Sequence, residues 1–248
     1  MKRRIVFACS GSAGNLGAIA RLASGLDGLD AEVVALTLDV GQSAELEGVR
    51  QAALTAGAAR AHVLDAREEF ARHCIAASRD HQIRAAAGHV VARPLIASKL
   101  IEIAHIEGAT VIAHSGGHDD HAGIESAARD IDPAIRVIAA PGGTALDVAP
   151  GVNTTAWGCS PDDSARTGGE PARLEIAFEG GVPVSVNGVS MTLTELIESV
   201  ATIAAAPAAV VFQAVHEALG ADASRAAGAT VCLELFKGRH RVLSAPRS

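Results

Sequence analysis

The side chains best able to do chemistry are gathered in the string HSGGHDDHAGIE that opens at His114, where His114, His118 and His121 stand with Asp119 and Asp120. Imidazole changes charge near neutral pH and also ligates metals, so these groups could transfer protons or hold a divalent metal ion. The spacing follows no strict metal signature such as HExxH, which leaves acid–base work, metal ligation by His114, His118 and His121, and a merely solvated polar loop all open. A second candidate is the glycine-rich turn SGSAGN at residues 10–15. Successive backbone N–H groups there, followed by a helix N-terminus, could cradle an anion with Ser10, Gly11, Ser12, Gly14 and Asn15. Turns of this composition also join strands to helices for steric reasons alone. Cys9, beside the turn, reads as a small buried hydrophobe rather than a nucleophile.

These residues need a frame to hold them, and the hydrophobic pattern supplies one. RIVFAC at residues 4–9 reads as a buried strand, the turn follows, and an amphipathic helix runs from about Leu16 to Leu26. Strands over Glu32–Leu38, Ala61–Leu64, Thr110–His114 and Arg136–Ala139 alternate with helices over Ala44–Ala56, Glu68–Ala77, Pro94–Glu107 and Ile124–Asp130. Alternation of this kind gives an α/β fold, a parallel sheet covered on both faces. Right-handed crossovers collect the C-terminal strand ends along one edge, where open α/β sheets bind their ligands. Both candidate groups lie at that edge.

After Pro141 the texture becomes rich in Gly, Pro and Asp as far as Pro171, with Trp157 as an expected packing anchor. Strands over Arg173–Phe178, Pro183–Val186 and Thr230–Phe236, with helices over Thr194–Ala204 and Val211–Leu219, predict a small α+β domain. The expected organisation is thus a nucleotide-binding-like α/β domain at 1–145, a connecting segment at 146–170, and a shortened α+β domain at 171–248.

Composition narrows the function. The formal net charge is -7, with five phenylalanines, one tryptophan and no tyrosine, which leaves little for phosphate neutralisation or base stacking and argues against nucleic acid. No apolar run is long enough to span a bilayer, and the start MKRRIVFAC makes a poor signal peptide, so a cytoplasmic protein with a small-molecule partner is expected. Four cysteines without a CxxC pair argue against a zinc ribbon or a disulfide framework. His62, His73, His81, His105 and His216 sit in or beside ordinary helix and strand patterns and read as structural or exposed.

Several segments, in order, resemble argininosuccinate synthase, an ATP-pyrophosphatase-type ligase that joins citrulline to aspartate. They are VVALTLDVGQSAELEGVR (33–50), VLDAREEF (63–70), ARPLIASKLI (92–101), NTTAWG (153–158), LEIAFEGGVPVSVNGVSMTLTEL (174–196) and LFKG (235–238). The resemblance implies an ATP-pyrophosphatase domain of the HUP, adenine nucleotide alpha hydrolase-like type, followed by a small synthetase-like domain. It also implies a ligand cleft that brings His89 near the His/Asp string, sets Asp39 on a neighbouring strand end, and uses Arg93 to bind a carboxylate. Arg93 could equally cap a helix or pair with an acidic side chain.

The departures fall where the chemistry should be. The family carries Ser-Gly-Gly-Leu-Asp-Thr-Ser in its first loop. Here Ser12 replaces the second glycine, Gly14 stands at the aspartate, and Asn15 and Leu16 replace Thr-Ser, which weakens phosphate and metal binding without abolishing it. Gly88-His89-Val90 stands for Gly-Thr-Ser. Of the family's Asn-Asp-Gln-Val-Arg only Asp120 survives, with Asp119 for the asparagine and Gly123 for the arginine, and a glycine replaces the lysine of the preceding loop. Residues 207–219 run quickly on to LFKG, so the stretch that supports citrulline binding and oligomerisation in the family is expected to be missing and assembly to be simpler, such as a homodimer. The leading reading is a diverged enzyme that acts on a small polar or amino-acid-derived substrate in a specialised biosynthetic pathway without making argininosuccinate. An adenylating C–N ligase using ATP and Mg²⁺ and a non-catalytic binding or scaffold homologue are the rivals, and a divalent metal is the other candidate cofactor.

Overall fold

A computed structural model of the chain describes residues 3–25, 31–41, 45–78, 88–140, 172–204, 208–223, 228–236 and 239–244. The connecting segment 146–170, with Trp157 and Cys159, and His81 lie outside them.

The described residues form two sheets, and the chain divides into two compact units, one around each. The first sheet is parallel, in the order β3-β2-β1-β4-β5, from β1 (Arg3–Ala8), β2 (Ala31–Asp39), β3 (Arg60–Asp65), β4 (Val111–His114) and β5 (Arg136–Ala139). Successive side chains on a strand point to opposite faces, and both faces are apolar here. Ile5, Phe7 and Val33 join Ile19 and Leu22 of α1 (Ala13–Ser24) and Ala53 of α2 (Leu46–Thr55) in one core. Val6, Val34, Leu36 and Ile112 join Leu100 and Ile101 of α4 (Gly88–Glu107) and Ile124 and Ala128 of α5 (His118–Ile131) in the other. Burying a side chain of this size contributes roughly 1.5–3 kcal/mol, so strands with no polar face are what a doubly covered sheet requires.

The N-terminal ends of the strands are held by charge. Glu107, buried at the end of α4, takes the guanidinium of Arg60 and lies 3.0 Å from Nε2 of His62. Arg4 donates to the Glu107 carbonyl and, through Nε, to Glu32 at 3.1 Å. A buried carboxylate persists only where cations and donors surround it.

Two helices begin six residues earlier than their sequence suggests. The pattern places a helix start at Pro94, whose fixed φ suits a first turn, yet α4 already runs from Gly88. Proline removes the bond to the carbonyl four residues back, and the helix continues through that loss. The string His118–His121 is not a loop but the first turn of α5, because Asp120, Ile124 and Ala128, four apart, share its buried face.

The second sheet is antiparallel, in the order β10-β9-β6-β7-β8, from β6 (Ala172–Glu179), β7 (Val182–Val186), β8 (Val189–Ser190), β9 (Ala229–Phe236) and β10 (Arg239–Ser244). Asn187, at φ 50, and Gly188, at φ 76, make the two-residue turn between β7 and β8, as Asn-Gly favours in hairpins. Pro183 is accommodated beside a register shift at Ala177/Phe178. Helices α6 (Leu193–Ala204) and α7 (Ala208–Ala223) pack on this sheet, and Thr192 and Glu195 cap α6 reciprocally, the Thr192 amide donating to Glu195 at 2.9 Å. Helix α3 (Arg67–Ser78), read from the sequence as part of the first domain, packs on α6 and α7 instead. Its buried Phe70, Ala71, Cys74 and Ile75 form the stripe that demands that partner.

The fold class is therefore α/β, a parallel sheet with helices, accompanied by a second unit around the antiparallel sheet that is as large as the first, not the small domain expected. No described helix is long and apolar enough to cross a membrane.

Candidate functional site

Strand order reverses direction at β1, between β2 on one side and β4 on the other. The crevice at such a switch point is where open α/β sheets take ligands. Two turns meet there. One leaves β1 through Cys9–Ser12 into α1, and the other leaves β4 through Ser115–Gly117 into α5.

The first turn is closed by its own side chains. Asn15, 4% exposed in the first turn of α1, accepts through Oδ1 from the Ser10 amide at 2.6 Å and the Ser10 hydroxyl at 2.8 Å. Its Nδ2 donates to the buried Ser115 hydroxyl, which ties the two turns together. Ser12 caps α1, its Oγ accepting from the Asn15 amide at 3.3 Å. Gly11 sits at φ +83, and a Cβ there would lie 2.8 Å from Cγ2 of Val49, so the position admits glycine alone without rearrangement. Gly14 lies in the first turn of α1.

Cys9 is buried, and burial raises its thiol pKa against hydrogen bonds from the Gly11 amide and the Thr37 hydroxyl that act in the opposite direction. A thiol kept protonated inside a core cluster is a packing residue. The Ser10 and Gly11 amides and the Ser10 hydroxyl thus all donate to partners within the turn or its immediate neighbours. That arrangement does not fit the pyrophosphate of Mg-ATP, which would need those donors for itself.

The second turn carries a pair of imidazoles. His114, fully buried at the end of β4, accepts at Nδ1 from the Gly116 amide at 3.0 Å, and its Nε2 lies 3.1 Å from Nδ1 of His121. The ring centroids are 5.3 Å apart at an interplanar angle of 32°. Burial lowers the His114 pKa to about 4, the neighbouring His121 adds to that, and Asp120 opposes it. At neutral pH the His114 ring is uncharged.

Asp120, also buried, accepts through one oxygen from Nε of Arg93 at 2.9 Å and from Nη2 at 2.7 Å. Gly123 makes room for that approach, since a Cβ at 123 would come within 2.6 Å of Arg93 Cδ. Arg93 therefore pairs with an acidic side chain of the same unit, one of the two roles its sequence context allows.

The structure sorts the sequence candidates by helix face. His114 and Asp120 are buried and His121 half-buried, whereas His118 and Asp119, in the same first turn of α5, are exposed. Asp39 ends β2, half-buried, with its carbonyl accepting from the Ala66 amide at 2.8 Å. His89 lies in the first turn of α4, and its side chain is outside the described residues. Among the described residues no three His, Cys, Asp or Glu side chains converge as a metal set. The remaining described histidines are elsewhere: His62 on Glu107, His105 2.7 Å from Asp132, His73 half-buried on α3, His216 against Phe178 with centroids 6.1 Å apart, and His240 on β10. Ser115 and the Gly116 amide, which complete both halves of the site, carry no signal in the sequence beyond following His114.

Comparison with known proteins gives the same family along most of the chain. Residues 4–147 match the family model described as the arginosuccinate synthase N-terminal HUP domain. The argininosuccinate synthase of Streptococcus suis is 30% identical over 252 residues, which takes in 82% of this chain and 62% of that protein. That of Bacillus cereus is 30% identical over 249 residues, covering 82% and 61%. That of Oleidesulfovibrio alaskensis is 47% identical over a shorter stretch of 116 residues, 44% of this chain and 29% of the relative. The chain spans less than two thirds of the length of these relatives.

Proposed function

The chain belongs to the argininosuccinate synthase family, and from that premise we propose that it is a diverged enzyme of that family which acts on a small polar or amino-acid-derived substrate at the β1/β4 switch point and does not make argininosuccinate. The observation that carries this reading is the Asn15 carboxamide. Its oxygen takes both the amide and the hydroxyl of Ser10, the two donors that open the first turn, and occupies the place that an anionic oxygen would need.

A second observation points the same way. The resemblance aligns Gly123 with an arginine and Gly116 and Gly117 with a loop that carries a lysine, so the positive charge expected around an anionic amino acid is reduced. The one arginine on α4 that is retained, Arg93, is paired with Asp120. What takes the place of that charge is an imidazole pair whose buried member, His114, is uncharged at neutral pH, suited to directing hydrogen bonds at a polar group.

Titration of the full chain with Mg-ATP by calorimetry tests the proposal. No saturable heat at millimolar ATP is the expected result. Saturable binding accompanied by pyrophosphate release with citrulline and aspartate would overturn it in favour of the adenylating ligase, which the retained Ser10 and Gly11 and the α1 N-terminus favour.

A further inference from the structure

The hydrogen bonds around His114 fix more than its position. A backbone N–H can only donate, so Nδ1 of His114, 3.0 Å from the Gly116 amide, must present its lone pair. The ring is fully buried and neutral near pH 7, and its one remaining proton is then on Nε2. That nitrogen lies 3.1 Å from Nδ1 of His121, and because two donors cannot face each other, Nδ1 of His121 must accept. The proton of a neutral His121 ring is thereby left on its far nitrogen, Nε2. Direction is imposed along the whole line, from the Gly116 amide through His114 to His121, with no freedom of tautomer at either ring.

We propose that His114 is a positioning residue that locks His121 in the Nε2–H tautomer, so that His121 meets its ligand as a hydrogen-bond donor and selects a group with an acceptor oxygen, such as a carbonyl or carboxylate. This rests on the functional reading above and sharpens it. A neutral imidazole held this way polarises an oxygen through a fixed N–H and cannot take up a proton at the same nitrogen. His121 is therefore an electrophilic partner of the substrate and not its general base. His121 is half-buried on the first turn of α5, while His114 has no exposed surface, which makes His121 the member of the pair that a ligand can reach.

The test reads protons directly. The full chain, labelled with ¹⁵N-histidine and held at pH 7.5, is recorded by long-range ¹H–¹⁵N correlation. The expected spectrum shows His114 and His121 both protonated at Nε2, with a ¹⁵N–¹⁵N coupling across the bond between His114 Nε2 and His121 Nδ1. His114→Leu, which removes the donor without adding a buried polar group, should abolish the coupling and let His121 redistribute between its two tautomers. His114→Gln, whose side-chain amide can still donate, should keep His121 in the Nε2–H form. A native spectrum with Nδ1 of His121 protonated overturns the proposal whether or not the variants fold, and so does a His121 tautomer unchanged in folded His114→Leu. None of these readouts needs turnover. ATP binding with pyrophosphate release in the presence of citrulline and aspartate would remove the functional reading and leave the tautomer result standing, so the two failures are separable.

Discussion

At the scale of the residue, His114 has a measurable signature in stability. Its pKa in the fold is about 4, below the ordinary 6.5, because its burial penalises the charged ring. Above pH 6.5 the ring is neutral in both folded and unfolded chains and contributes no pH dependence. Between 6.5 and 4 the unfolded chain takes up a proton that the folded chain refuses, so stability falls as the pH falls, by up to about 3 kcal/mol in all. Urea unfolding of the native chain and of His114→Leu at pH 7 and pH 4.5 should show a markedly smaller drop in the variant. An equal drop in both would mean that His114 is protonated in the fold at acid pH. The residue types of this site were legible in the sequence, since His114, Asp120 and His121 are all in the string that first draws attention. Their division of labour was not. His118 and Asp119 are chemically equal to their neighbours and differ only in the face of α5 that they occupy, which is decided by the tertiary burial of Ile124 and Ala128.

At the scale of the element, the β1–α1 turn depends on two glycine properties acting together at Gly11, a left-handed backbone and contact with α2. Gly11→Ala meets strain at φ +83 and a collision with both Val49 methyl groups, and should destabilise the fold by about 2–4 kcal/mol. Adding Val49→Ala removes only the collision. Thermal or urea unfolding should therefore place the double variant above Gly11→Ala alone, despite its lost packing. A double variant less stable than Gly11→Ala would show that Val49 does not limit this position. The turn, all five parallel strands and the helix that follows each of the first four were readable, because apolar runs bounded by glycines leave few alternatives. Less visible were β8 and β10, a two-residue strand and an edge strand that begins Arg-His-Arg, whose formation comes from pairing with β7 and β9 rather than from their own composition. The early start of α4 was hidden for the opposite reason, a strong local signal at Pro94 that the longer helix overrides.

At the scale of the whole molecule, sequence order and compactness part company at α3. Its apolar stripe of Phe70, Ala71, Cys74 and Ile75 belongs with α6 and α7, far along the chain, so the second unit is discontinuous in sequence. A fragment of residues 1–149 should then retain slow hydrogen exchange in β1, β2 and β4, lose protection throughout residues 67–78, and bind a hydrophobic dye that the full chain does not. Protection of 67–78 in that fragment equal to that in the full chain would refute the assignment of α3 to the second unit. Periodicity alone could show that α3 has an apolar face, but not which of two later partners would cover it.

The first unit also separates its duties between the two ends of one sheet. Glu107, with Arg4, Arg60 and His62, secures the N-terminal strand ends, while every candidate for chemistry stands at the other. Evolution can therefore rewrite the turns at 10–15 and 114–121 without disturbing the ion-paired clasp, and a lineage that lost one reaction could keep a sound scaffold while it acquired another. On that view the clasp is a source of evolvability.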